Sequence, residues 1–269
     1  MDIDMREELF HQAKTWVKEA GEIIRNRIKD PLTIDTKSDA KDLVTQMDRA
    51  IEYFFVKRIK EAYPSHQLLS EEGYGDDVTT LDGTVWIIDP IDGTMNFVQQ
   101  KRNFAISVGV FHDGIGEIGL IYNVIDDVLY TAQRNNGAFK NDQKLPTLNE
   151  QVSLDKSVLG LNHFWLCENR LVDEKVMQKL VKKVRGARAY GSAALEFAFV
   201  AEGTLEGYLA MGLAPWDVAA GMVIVNEVGG VTSNIDGISL NLLQKDTVLT
   251  CHPAVHQKII TEYIQKGRK

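Results

Sequence analysis

Residues 86–98 read WIIDPIDGTMNFV. The apolar run Trp86-Ile87-Ile88 has the composition of a buried strand, and it ends on Asp89. Three residues later comes Asp92, followed by Gly93-Thr94. Asp-Pro and Asp-Gly are common turn dipeptides, so a plain turn would account for the pair. The placement argues for more. Sites gather at strand ends in layered folds. A Gly-Thr that opens a helical turn over residues 94–98 offers free backbone N–H groups to an anion. Carboxylates beside that pocket repel a phosphate unless a cation lies between them.

Three further acidic positions share this character. Glu71-Glu72, in LLSEEGYG, follows the apolar strand candidate 67–70, although a solvated loop reads the same way. Asp48 lies in DLVTQMD on the apolar side of a predicted helix whose face carries Val44, Met47, Ile51, Phe54, Phe55 and Ile59. A buried, unpaired charge there is costly. A capping box with Thr45 as N-cap would satisfy it and leave room for a second role. Asp217, in PWDVAAG, reads as a helix N-cap, and Ala219, Ala220 and Gly221 mark a helix that packs closely on a neighbour. Together Glu71, Asp89, Asp92 and Asp217 form an all-oxygen set that suits Mg²⁺ or Mn²⁺ rather than zinc. His252 and His256 lack a third ligand and read as structural. Cys167 and Cys251 do not make a disulfide framework.

The rest of the chain bounds the answer. With 269 residues, 44% hydrophobic and 25% charged, it can bury a real core. The expectation is a single domain over 1–269, with halves of about 1–150 and 151–269. Net charge is −8, and the short cluster Lys182-Lys183-Val184-Arg185 reads as a solvated helix end, which counts against nucleic acid. No apolar run approaches the ~18 residues of a membrane span. The acidic, amphipathic start MDIDMREELF is unlike a signal peptide, so a cytoplasmic protein is expected. Leu9, Ala13, Val17, Ala20, Ile24 and Ile28 predict a first helix ended by Pro31, followed by a polar loop over 35–42. Strands are predicted at 67–70, 85–88, 105–112, 116–123 and 128–134. Beyond residue 155 strands (158–161, 207–211, 247–251) alternate with helices (173–183, 192–201, 217–228, 253–265). This pattern predicts helices and sheets stacked in layers.

The motifs also resemble those of the inositol monophosphatase family of Mg²⁺-dependent, lithium-sensitive phosphatases. They are Lys37-Ser38 with Asp42-Leu43-Val44-Thr45 and Asp48, Glu71-Glu72-Gly73, Trp86 to Thr94 with Asn96-Phe97, Gly191-Ser192-Ala193-Ala194, and Trp216-Asp217-Val218-Ala219-Ala220-Gly221. The resemblance spans nearly the whole chain and implies an α+β fold, a layered αβαβα sandwich. It implies that Glu71, Asp89 and the Ile91 carbonyl hold one Mg²⁺, that Asp89, Asp92 and Asp217 hold a second, and that Glu71 and water attend a weaker third; Mn²⁺ would substitute. Gly93 and Thr94 would receive the phosphate, with Asp92, Ala193, Asp217 and Lys37 also on the substrate, Lys37 from a mobile lid. Glu71 and a Thr94–Asp48 pair would activate water for direct in-line attack. The resemblance further implies a homodimer, lithium inhibition at the second site, and substrates among inositol monophosphate, NADP(H), fructose 1,6-bisphosphate and nucleotide 3′-phosphates. In animal members a Glu ahead of the Trp-Asp motif binds inositol hydroxyls. Here Ala210 stands in its place, which implies a wider, bulkier ester range.

Rival readings are weaker. A haloacid-dehalogenase-type phosphatase needs a nucleophilic Asp two residues before Asp92, where this chain has Pro90. A metal-dependent nuclease would want a basic groove. A non-enzymatic scaffold would be favoured by a lost ligand, yet all four acidic residues are present.

Overall fold

The computed structural model describes residues 1–30, 34–36, 43–149 and 151–269. The expected lid residue Lys37, with Ser38 and Asp42, lies outside the described residues. Elements are numbered in chain order. A two-stranded ribbon pairs β1 (Ile34–Thr36) with β2 (Leu43–Thr45). The large sheet has seven strands in sequential order: β3 (Gln67–Ser70), β4 (Thr84–Asp92), β5 (Ala105–His112), β6 (Ile115–Asn123), β7 (Val128–Gln133), β8 (Gly137–Lys140) and β9 (Gln143–Lys144). Only β3 and β4 run parallel. The smaller sheet has the order β11-β10-β12-β14-β13, from β10 (Val158–Leu161), β11 (Gly186–Arg188), β12 (Gly207–Leu213), β13 (Val231–Ser233) and β14 (Asp246–Cys251).

Alternation of side chains along the strands builds the layers. In β4, Trp86 and Ile88 face helices α1 (Ile3–Arg27) and α2 (Gln46–Ala62), joining Leu9, Trp16, Ile51 and Phe55 in one core. Val85 and Ile87 face the other way, onto α5 (Ala193–Ala201) and α6 (Pro215–Glu227). Those helices receive Tyr208, Ala210 and Val248 from the smaller sheet. The intervening Leu209 and Leu249 point outward to α4 (Glu174–Lys183) and α7 (Pro253–Lys258). The result is an αβαβα sandwich with three cores. No helix among the described residues is long and apolar enough to cross a membrane.

Several predicted boundaries move. The second helix begins at Gln46, because Thr45 is its extended N-cap, so Val44 belongs to β2 and not to the helical face. The third helix, α3 (Thr94–Gln100), is longer than one turn. The last helix does not run unbroken to residue 265: after α7 the chain winds as a π-helix over Ile259–Ile264. The short strands β9, β11 and β13 carry too few residues to show a period of two.

Helix α6 is buried between two sheets, which leaves it no polar face. Its small side chains set the spacing. A Cβ on Gly119 would come 2.5 Å from the Ala220 carbonyl oxygen, and one on Gly221 would lie 2.3 Å from Cγ of Phe197 on α5. Phe197 is fully buried, and the clash is with the root of its ring rather than a mobile tip. Gly221→Ala is therefore expected to destabilise the protein by about 1–3 kcal/mol, the usual cost of overpacking. Urea unfolding checks this, and an unchanged midpoint would show that α5 and α6 are not this close.

Candidate active site

The geometry begins with an interruption in β4. Asp89 pairs with Ser107 and Asp92 with Ala105, so three steps on β4 oppose two on β5. The extra residue falls at Pro90–Ile91, where Pro90 has no N–H to give the ladder. In an unbroken strand, residues three apart face opposite sides. The bulge cancels that alternation, and Ile88 and Ile91 both enter the α1/α2 core. Asp89 and Asp92 are thereby brought together. They meet Asp217 from α6, and each of the three offers a carboxylate oxygen within 4.8 Å of the others. Asp89 and Asp92 are only 2% and 6% exposed, while Asp217 is half-buried.

Each carboxylate is oriented by backbone. Asp89 accepts the Ile91 N–H at 2.9 Å. Asp217 accepts the Ala214 N–H at 2.7 Å, so it is the third residue of α6 reaching back, not the N-cap expected from the sequence. Asp92 caps α5 from outside: it accepts the Ser192 hydroxyl and the amides of Ala193 (3.2 Å) and Ala194 (2.8 Å). Glu71 follows β3 in a turn held by Glu52, whose carboxylate accepts the N–H groups of Glu72 (2.6 Å) and Tyr74 (2.7 Å). The Glu71 charge acts on Asp48, Asp89, Asp92 and Asp217 alike.

Asp48 has both roles the sequence left open. Its Oδ2 accepts the Thr45 N–H (2.8 Å) and hydroxyl, closing the capping box. Its Oδ1 lies 3.2 Å from the Thr94 hydroxyl, which is also 3.1 Å from the Ile91 carbonyl. Gly93 precedes α3 with φ of 92° and Gly191 lies at φ 77°, conformations that favour glycine; a Cβ on Gly93 would press on the Gly191 oxygen at 3.1 Å, and one on Gly191 on the Asn96 amide at 3.0 Å.

The electrostatics are one-sided. Burial first, then Glu71, Asp92, Asp217 and Asp48, push the Asp89 carboxyl well above the usual range. Burial lifts Asp92 to about 6, against the pull of Ser192, Ala194 and Ala193. Burial and then Asp92 lift Asp217 to about 8. Burial also raises Asp48, despite its bonds to Thr45. Among the described residues, none of Asp89, Asp92 and Asp217 forms an ion pair. Such a group is short of positive charge, and its hard oxygen donors fit Mg²⁺.

Beside the carboxylates lies a cavity of about 270 Å³, walled by Asp92, Asp217, Ser192, Ala193, Asn162, His163, Ala189, Tyr208 and Leu213, among others. A larger hollow of about 380 Å³ beside Phe111, Arg134 and Asn226 has Glu227 as its sole carboxylate. Ala210 does not open the active cavity: it is fully buried in the core between the sheets. The extra room expected beside it is therefore absent, because this stretch of β12 meets the cavity through Tyr208 and Leu213. His252 and His256 are structural, bonded to the Asn149 carbonyl and the Ser233 hydroxyl. Glu52 and Glu196 were not singled out from the sequence, and Ser192 entered only as part of the Gly191–Ala194 motif. Glu52 was within reach, since it follows Asp48 by four residues and so shares its helix face.

Comparison with known proteins places the chain in a family. The model of the inositol monophosphatase family matches residues 5–268. The chain is 51% identical to the inositol-1-monophosphatase of Bacillus subtilis strain 168 over 257 residues, which cover 96% of this chain and 97% of that one. A crystal structure of 2′AMP-bound SaIMPase-II, an inositol monophosphatase II of Staphylococcus aureus, superposes with a TM-score of 0.88 at 42% identity, covering 96% and 95% of the two chains. An IMPase/NADP phosphatase crystallised with NADP and Ca²⁺ superposes with a TM-score of 0.88 at 26% identity, covering 95% and 94%. The chain belongs to the inositol monophosphatase family and is a phosphatase.

Proposed function

We propose that this phosphatase hydrolyses inositol monophosphate and other small phosphate monoesters with Mg²⁺. The observation that carries the reading is the meeting of three buried or half-buried carboxylates within 4.8 Å beside a substrate-sized cavity. Glu71, Asp89 and the Ile91 carbonyl would hold one ion, and Asp89, Asp92 and Asp217 another, with Glu71 attending a weaker third. Bound there, the metals would neutralise phosphate oxygens and make water more acidic.

The chain's own groups do the rest. Gly93 and Thr94 receive phosphate oxygens at the start of α3, where backbone N–H groups lack helical partners. The Thr94 hydroxyl proton is shared between Asp48 and the Ile91 carbonyl. Its oxygen is then left to accept, which orients a water. Glu71 would take the proton from that water as it attacks phosphorus in line; the ester P–O bond breaks on the opposite side, and the leaving alkoxide takes a proton from solvent water. Asp92, Ala193 and Asp217 face the leaving group, and Asn162, His163 and Leu213 bound the space it fills. Lys37 would contribute from the lid. The named ligands of relatives, 2′AMP and NADP, support a leaving group wider than inositol. NADP(H) 2′-phosphatase or fructose-1,6-bisphosphatase activity is the second reading.

Phosphate release from inositol 1-phosphate is expected to require Mg²⁺, with Mn²⁺ partly replacing it, and to fall on adding Li⁺. Asp89→Asn and Asp217→Asn are expected to lower kcat roughly a hundredfold or more, the scale for lost transition-state electrostatics. Full turnover by either variant in EDTA would overturn the reading. Across a panel with NADP, 2′AMP and fructose 1,6-bisphosphate, at least one ester is expected to match inositol 1-phosphate in kcat/KM. A hundredfold preference for inositol 1-phosphate over all of them would refute the wider range.

The metal-free protein carries its own signature. Folding raises the Asp92 and Asp217 carboxyls from 3.8 to about 6 and about 8. The native state therefore holds protons that the unfolded chain has released, and stability falls as pH rises from about 4 toward 8. Thermal melts in EDTA are expected to drop across that window. Asp217→Asn is expected to flatten the drop and to melt higher than the parent at pH 8. Equal slopes for the two proteins would contradict the charge-crowding account.

A further inference from the structure

Glu196 sits in the first turn of α5, 3% exposed, against the cavity wall. One oxygen, Oε1, accepts the Tyr190 N–H at 2.9 Å, and the Gly191 backbone also bonds the carboxyl. The other, Oε2, is buried without a hydrogen-bond partner. It occupies space left by a missing side chain, since a Cβ on Gly160 of β10 would fall 2.1 Å from it. Leaving a buried carboxylate oxygen unsatisfied is a poor way to gain stability. What the residue does hold is the turn before α5.

That turn is gripped from two sides. Glu196 takes its N–H groups, and Asn96 of α3 donates Nδ2 to the Tyr190 carbonyl at 2.7 Å. The next residues along the chain are Ser192, Ala193 and Ala194, whose hydroxyl and two amides fix the Asp92 carboxylate. The turn also abuts the phosphate-receiving strand end: a Cβ on Gly93 would meet the Gly191 oxygen at 3.1 Å.

We propose that Glu196 is a positioning residue for catalysis: by clamping the Tyr190–Gly191 turn, it aims the three donors that orient Asp92 toward the metal. This rests on the two-metal reading above. It acts through a hydrogen-bond acceptor, so an amide oxygen serves in its place, whereas a methyl group does not.

The experiment compares Glu196→Gln and Glu196→Ala with the parent chain. Mg²⁺ binding is measured by titration calorimetry, alongside kcat and KM for inositol 1-phosphate and the melting temperature in EDTA. Glu196→Ala is expected to weaken Mg²⁺ binding and lower kcat by roughly 10- to 100-fold, the range for residues that orient metal ligands. KM is expected to change much less than kcat, and Glu196→Gln to stay within a few-fold of the parent in every readout. If Glu196→Ala fails to fold, Glu196→Asp replaces it: its shorter arm withdraws the acceptor while keeping the charge, with the same weakened Mg²⁺ binding expected. Parent-like Mg²⁺ binding and kcat in the variant that folds would overturn the proposal. So would Glu196→Gln falling as far as that variant, because an acceptor kept at full reach would then not suffice. A parent chain that binds no Mg²⁺ would instead overturn the two-metal reading itself.

Discussion

The structure turns on one irregularity, the extra residue at Pro90–Ile91 in β4. Without it, Asp89 and Asp92 would point to opposite faces of the large sheet, and one would enter the α1/α2 core as an unpaired charge. With it, both reach the same spot at the end of the strand, where α6 delivers Asp217. The surrounding order follows from the need to hold like charges together. Asp92 is steadied by the N-terminus of α5, Asp217 by the Ala214 amide, Asp89 by the Ile91 amide, and the Glu71 turn by buried Glu52.

The site is assembled from remote parts of the chain on a rigid frame. Asp89 and Asp92 ride on the large sheet and Asp217 on a helix wedged between the two sheets. The glycines that let α6 approach β6 and α5 set the depth at which Asp217 stands. Packing and site geometry are thus one problem: close-packed interiors transmit small volume changes. A methyl group added at Gly221, one turn along α6, would be felt where the carboxylates meet.

Much of this was legible in the sequence. The apolar run before Asp89, the Gly-Thr after Asp92 and the small residues after Asp217 are local signals with local causes. Helix α1 and strands β5 and β10 stand where their periodicity predicts. Other features depend on partners that no local pattern reveals. The ladder shift in β4 needs knowledge of β5. Strands β9, β11 and β13 have two or three residues each and exist through their neighbours. Glu196 has no local mark of a role until the Tyr190 amide is placed beside it, and the Gly191–Ala194 motif does not show locally that the Ser192 hydroxyl serves Asp92. Ala210 misled for a similar reason: its size is plain from the sequence, but the direction it faces is set by the register of β12 against β14.

The capping of α5 by Asp92 has a consequence for the order of assembly. The cap joins residues 100 and more positions apart, and all of its donors and its acceptor belong to the polypeptide. Once the two sheets have docked, Asp92 is locked by the polypeptide alone, so this carboxylate is preorganised by folding. Asp217 has only a local tether across its own helix start. A cation entering the cluster would therefore find one arm already set, and the remaining ordering would fall on the other carboxylates.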